Sequence, residues 1–219
     1  MINNTDLCRI KRGVNIKMEY NEIDKIKSSR DFNLLIRKIE ELLDQKEQIL
    51  IGIDGDSGSG KSTIAGLIKD ALDGNLIHMD DFFLQPKQRT AERLSEPGGN
   101  VDYERVSVEV LEKIKSNNEF TYGKFECESM TITKQITIDW KPLNIIEGVY
   151  SLHPALIEFY DYKIFLKVKP ETQETRIFER NGKEALEVFK DRWIPMEKLY
   201  FQTYSIEKAV DLVIDTSDI

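Results

Sequence analysis

Between residues 31 and 45 the apolar side chains Phe32, Leu35, Ile36, Ile39, Leu42 and Leu43 recur at intervals of three and four, with acids on the opposite side. That spacing predicts an amphipathic helix that covers a sheet. Ile49, Leu50, Ile51, Gly52 and Ile53 then form a short apolar run closed by Asp54 and Gly55, as expected of a strand buried on both faces. A glycine-rich turn and a helical pattern over 62–72 follow directly. The rhythm repeats downstream. Segments 76–79, 143–146 and 163–168 read as strands, 212–214 as a last short one, and 103–115 and 196–210 as helices between them. Such alternation predicts an α/β fold with a doubly wound, mostly parallel sheet. One segment departs from it: over 120–139, Thr131-Ile132-Thr133 and Gln135-Ile136-Thr137-Ile138 alternate at period two, which predicts an inserted β-hairpin. Residues 1–30 mix charges with scattered Ile and Met and are expected to form a loosely held extension. With the 31–45 helix they make up an N-terminal unit, 1–47, ahead of a main domain, 48–219.

Composition narrows the function. The 219 residues are 40% hydrophobic, enough to bury one full core. Lys and Arg number 31 against 39 Asp and Glu, a formal charge of −8, so the chain has no general attraction for nucleic acid or an anionic membrane. Cys8 and Cys127 are too few and too far apart for a disulfide framework or a zinc cluster. The N-terminus lacks an apolar signal core, and no run reaches the ~18 apolar residues of a membrane span. A cytoplasmic protein without membrane or nucleic-acid partners is expected.

Gly55-Asp56-Ser57-Gly58-Ser59-Gly60-Lys61-Ser62 matches G-x-x-x-x-G-K-[ST] and lies between an apolar strand and a helix, which is the context this motif needs. Glycines let the backbone curl so that successive N–H groups face phosphate oxygens, and the positive end of the following helix adds to the field. Gly55 to Ser62, with Thr63, are therefore the expected nucleotide-binding residues. Lys61 would neutralise the β- and γ-phosphates and the Ser62 hydroxyl would enter a Mg²⁺ shell. The loop alone does not separate a kinase from a GTPase, a motor or a regulatory ATPase.

Two acids at strand ends carry the next step. Asp80 and Asp81 follow the second strand, where ligands bind in open α/β sheets, and a carboxylate there can accept a proton from an attacking hydroxyl or simply cap a helix. Glu147 ends another apolar run, the position from which P-loop enzymes hold the Mg²⁺ hydration shell.

Taken in order, Gly55 to Ser62, His78-Met79-Asp80-Asp81-Phe82-Phe83, Asn100-Val101-Asp102 and Glu147-Gly148 resemble the uridine kinase and phosphoribulokinase family. Nicotinamide riboside kinases and bacterial pantothenate kinases are relatives. The similarity spans about 49–214. It implies a P-loop NTPase fold with a helical lid, ATP or GTP as phosphoryl donor, Mg²⁺ held near Ser62 and Glu147, and a small-molecule acceptor; it also allows a homo-oligomer. By the same resemblance Asp80 is the catalytic base and Asp102 reads the acceptor's ribose hydroxyls. The lid is 171–183, in which Arg176 and Arg180 close over the nucleotide. Arg180, beside the Asn181-Gly182 break, is the favoured catalytic arginine and also faces the acceptor, with Lys183 a weaker candidate. Arg89 and Arg93, ahead of the Gly98-Gly99 turn, could grip substrate or stay solvated. The hairpin departs from the family's pattern. Where uridine kinases carry a Tyr-Asp pair and a base-contacting histidine, this chain has Tyr122-Gly123 or Phe125-Glu126, and its two histidines, His78 and His153, lie elsewhere. Phe125 is the residue expected to line the acceptor pocket from that wall.

The expected activity is phosphorylation of a primary hydroxyl on a small molecule, with a nucleoside such as uridine as first candidate. A kinase for another small alcohol (nicotinamide riboside, pantothenate or a sugar phosphate) and a nucleotide-dependent regulator that transfers nothing stay open.

Overall fold

The Ile49–Gly55 strand, β1, is buried along its whole length, which its unbroken apolar run requires. In the structure, a computed structural model that describes residues 20–218, β1 pairs in parallel with β5 (Leu143–Glu147) on one side and β6 (Tyr162–Lys167) on the other. Adding β2 (Asn75–His78) and β7 (Leu212–Asp215) gives the order β2-β5-β1-β6-β7, with every pairing parallel. Parallel neighbours need crossover connections, and these leave the strands' C-terminal ends aligned on one edge.

Helices cover both faces. Over one lie α1 (Tyr20–Ser28), α2 (Arg30–Gln45) and α3 (Lys61–Leu72), whose Ile26, Phe32, Leu35, Ile39, Ile64 and Ile68 join Ile49, Ile51 and Ile53 in one core. Ser29 starts α2 by accepting the Phe32 N–H at 3.2 Å. The other face carries the residues that bound the site. They include the short α4 (Ala91–Ser95) and a helix that begins as α5 (Tyr103–Val106), widens to a π-turn over Ser107–Leu111 and closes over Glu112–Ile114. The antiparallel hairpin of β3 (Phe120–Glu126) and β4 (Thr131–Ile138) packs there too. The chain ends with α6 (Pro170–Asn181), α7 (Lys183–Val188), a π-turn over Phe189–Trp193, α8 (Ile194–Thr203) and β7.

Three expectations change. The extension assigned to 1–30 holds a helix, α1, whose Ile26 is 4% exposed; the rest of it, with Cys8, lies outside the described residues. The two alternating tripeptide-scale runs of the hairpin form a single strand, β4, and its partner is 120–126, where Gly123 and Lys124 blur the period. The helix expected over 196–210 stops at Thr203, because Ser205 takes a left-handed φ of 51° and turns the chain into β7. Cys127 is buried beside the hairpin. No helix among the described residues is long and apolar enough to cross a membrane.

Candidate active site

The turn between β1 and α3 is shaped from outside as much as by its own glycines. Gly55 sits at φ 139°, and a Cβ there would lie 2.0 Å from the Leu166 carbonyl oxygen, so β6 can approach only a glycine. Three successive carbonyls of the turn face outward onto donors: Gln173 Nε2 to Ser57 O at 2.8 Å, Arg176 Nη1 to Gly58 O at 3.1 Å and Thr216 Oγ1 to Ser59 O at 2.9 Å. Lys61 Nζ donates to Gly55 O at 2.9 Å and Asp56 O at 2.8 Å. Two acids anchor the ends. Asp54, fully buried, accepts N–H groups of Gly55, Tyr150 and Leu152 and the Tyr200 hydroxyl, while Glu197 of α8 accepts the Ser57 N–H at 3.1 Å and its hydroxyl at 2.6 Å. Burial raises the Asp54 carboxyl to about 6 against the pull of those donors and Lys61.

A cavity of about 140 Å³ opens above this turn, at the C-terminal edge of the sheet. Ser57, Lys61, Ser62, Asp80, Glu147 and Arg180 line it, together with Thr63. Ser62 Oγ donates to Glu147 Oε1 at 3.0 Å, which puts a hydroxyl and a carboxylate, both hard oxygen donors, side by side as a Mg²⁺ site requires. The described residues contain no group of three or more His, Cys, Asp or Glu that could hold a metal ion. His78 Nδ1 lies 2.5 Å from the same Glu147 oxygen, and that bond raises the imidazole above its usual range although burial opposes it. Arg180 of α6 is half-buried, and burial lowers its guanidinium while the charges of Asp80 and Glu197 raise it.

Asp80 and Asp81 diverge. Met79–Phe82 is a 3₁₀ turn in which Asp80 faces the cavity and Asp81, 3% exposed, turns to the hairpin, accepting the Tyr122 hydroxyl at 3.0 Å and pairing with Lys124 at 3.3 Å. Asp102 lines a second crevice of about 440 Å³. There its Oδ1 caps the Arg105 N–H at 3.1 Å and its Oδ2 accepts from Gln88 Nε2 at 2.7 Å. Phe125 is fully buried edge-on to Phe83, with ring centroids 6.2 Å apart, and lines neither opening. Arg176 holds Gly58 O and Thr216 from outside the turn, and Lys183 is exposed at the start of α7. Arg93 is spent on the Gly99 and Val101 carbonyls, Tyr103 and Glu104. The sequence reading missed Asp54, Gln173, Glu197 and Thr216. Only Asp54, an acid inside a wholly apolar strand, carried a signal.

A parallel sheet of this order, a glycine loop entering a helix and acids at the neighbouring strand ends define a P-loop kinase. Uridine kinases of several Staphylococcus aureus strains are 29% identical over 150 residues, which span 64% of this chain and 71% of theirs. No family model matches the chain. A solved structure described as a "possible uridine kinase" from Bacillus stearothermophilus superposes with a TM-score of 0.63 at 21% identity, covering 90% of this chain and 100% of that one. Another, provisionally described as a fructose transport system kinase from Silicibacter sp. TM1040, gives 0.58 at 22% identity over 84% of this chain and 98% of its own. The chain has the fold of the P-loop kinases and is similar in sequence to uridine kinases, and these likenesses support a phosphotransferase that acts on a small molecule.

Proposed function

We propose that the protein transfers the γ-phosphoryl group of ATP to a primary hydroxyl of a nucleoside such as uridine, through a kinase domain at 48–219. The observation that carries this reading is the placement of Asp80 in one cavity with the phosphate turn, Glu147 and Arg180. A hydroxyl entering beside Asp80 would give up its proton to that carboxylate as it attacks. Lys61, released from the Gly55 and Asp56 carbonyls, would follow the β- and γ-phosphates, and Arg180 would offset charge on the group in flight. Mg²⁺, held by Ser62 and Glu147, would neutralise and orient the phosphates. Most of the rate enhancement then comes from positioning and electrostatics. The 171–183 segment is the lid and the 120–139 hairpin the acceptor's wall.

Asp102 is the proposed reader of a vicinal diol. A carboxylate offers about four acceptor sites; the Arg105 N–H and Gln88 amide occupy two, and the Arg105 guanidinium stands 3.6 Å from Oδ2 without a hydrogen bond, which leaves capacity for hydroxyls. A site that pairs with a hydroxyl rejects analogues lacking it by about 1–3 kcal/mol or more. The 2′-deoxy form of the acceptor should be the poorer substrate, and Asp102→Ala should erase much of that preference while sparing ATP binding. Kinetic comparison of ribosides, 2′-deoxyribosides and diol-free alcohols tests it. Equal kcat/KM for ribo and deoxy forms, or activity on a diol-free alcohol alone, would overturn the nucleoside assignment and leave the kinase. The burial of Phe125 favours that second outcome, a kinase of another small alcohol, since the wall then offers no free aromatic face to a base.

A further inference from the structure

Arg105 joins three segments that the chemistry needs in register. Its side chain, 9% exposed, lies one turn beyond Asp102. Nη2 donates to the Asp81 carbonyl at 2.7 Å, inside the turn that carries Asp80. Nη1 donates to the Gly123 carbonyl of β3 and lies 3.3 Å from Glu109 Oε2, and Nε stands 3.6 Å from Asp102 Oδ2. The guanidinium also covers the Phe82 ring at 4.4 Å. Glu109 completes the arrangement by accepting the Gly123 N–H at 2.8 Å, so the peptide groups on both sides of Gly123 are gripped by one helix. That helix widens to a π-turn over Ser107–Leu111, a rare local geometry that often accompanies functional sites. A side chain at Gly123 would strike Ile132 Cγ2 at 2.6 Å, which keeps the gripped strand bare.

We propose that Arg105 is a positioning residue that fixes the Asp80 turn, Asp102 and the hairpin wall relative to one another, and so sets where the acceptor meets the base. The consequence for catalysis rests on the kinase reading above; the structural clamp does not. A planar fork with five donors can serve three carbonyl and carboxylate partners at once, which an ammonium on a flexible stem cannot. Misplacement of a reacting group by about 1 Å costs on the order of 10²-fold in rate.

The test uses the full chain with Arg105→Gln and Arg105→Lys. Amide hydrogen exchange is read first, because it needs no substrate. Exchange should rise in 79–83 and 120–126 of both variants and stay unchanged in 55–62. With an acceptor that the wild type phosphorylates, kcat/KM for that acceptor should fall about 10–100-fold, more through kcat than KM, with the KM for ATP unaltered. If Arg105→Gln does not fold, Arg105→Lys, which keeps the charge and loses the fork, decides the matter. Wild-type exchange in both segments of a folded variant, or equal losses toward ATP and acceptor, would overturn the proposal. A wild-type protein that phosphorylates no acceptor would overturn the kinase reading instead, and exchange would still decide whether Arg105 clamps the three segments.

Discussion

His153 is 7% exposed and stacks on Tyr103 with ring centroids 4.1 Å apart, with Tyr200 parallel to it on a 6.3 Å spacing. Its Nδ1 accepts the Ala155 N–H, a bond that needs the ring unprotonated at that nitrogen. Burial, helped by Arg93 and opposed by Glu104, lowers the imidazole from 6.5 to about 4. Between those values the unfolded chain binds the proton and the folded one does not. The contribution of this site is therefore intact above pH 6.5 and is lost as the pH falls toward 4, by about 2–3 kcal/mol. Asp54, raised from 3.8 to about 6, works in the opposite direction over its own window, so the useful quantity is a difference between proteins. His153→Phe keeps the stack and removes the titration. Urea unfolding at pH 7.5 and 4.5 should show wild type losing more stability on acidification than the variant, and parallel losses would contradict this. At this scale the sequence displayed the residues of the phosphate turn, because their chemistry is written in contiguous types. Only the family resemblance favoured Asp80 over Asp81; the local pattern could not say which of them faces the cavity, since Tyr122 and Lys124, some forty positions away, decide that.

The α6 helix, proposed as the lid, braces the phosphate turn in this structure. Gln173 is 5% exposed and its amide holds the Ser57 carbonyl, so the inward aim of the next N–H groups depends on a side chain from 116 positions along the chain. Gln173→Leu leaves that carbonyl without its donor and should cost about 1–3 kcal/mol of stability. ATP affinity should fall with it, while the KM for the acceptor should hold. Calorimetric titration with ATP, together with denaturant unfolding, checks both; unchanged ATP affinity in a destabilised variant would mean the brace is structural alone. Elements with a single period were legible from sequence: α2, the buried strands and the break at Gly182. The hairpin partner strand was blurred by Gly123 and Lys124, which break the alternation where Arg105 and Glu109 grip the backbone. The end of α8 depends on one left-handed residue, Ser205, that carries no signal of its own.

On the scale of the whole molecule, parallel pairing collects the ends of β1, β2 and β5 on one edge, and the phosphate turn, Asp80 and Glu147 follow from that topology. The sequence order of the motifs was enough to expect this arrangement. It was not enough to place Asp102, whose crevice is bounded by the 84–104 loop and not by the sheet edge. The central claim is that Asp80 receives the proton of a hydroxyl while the γ-phosphoryl group passes to it. The direct measurement is the fate of a labelled γ-phosphate from ATP with Mg²⁺ and a panel of ribosides, deoxyribosides and other small alcohols, for wild type, Asp80→Asn and Lys61→Ala. The account predicts label in one acceptor with the wild type, transfer about 10²–10⁴-fold slower with Asp80→Asn at undiminished ATP binding, and none detectable with a folded Lys61→Ala. Label appearing only as inorganic phosphate, or transfer by Asp80→Asn at the wild-type rate, would contradict it.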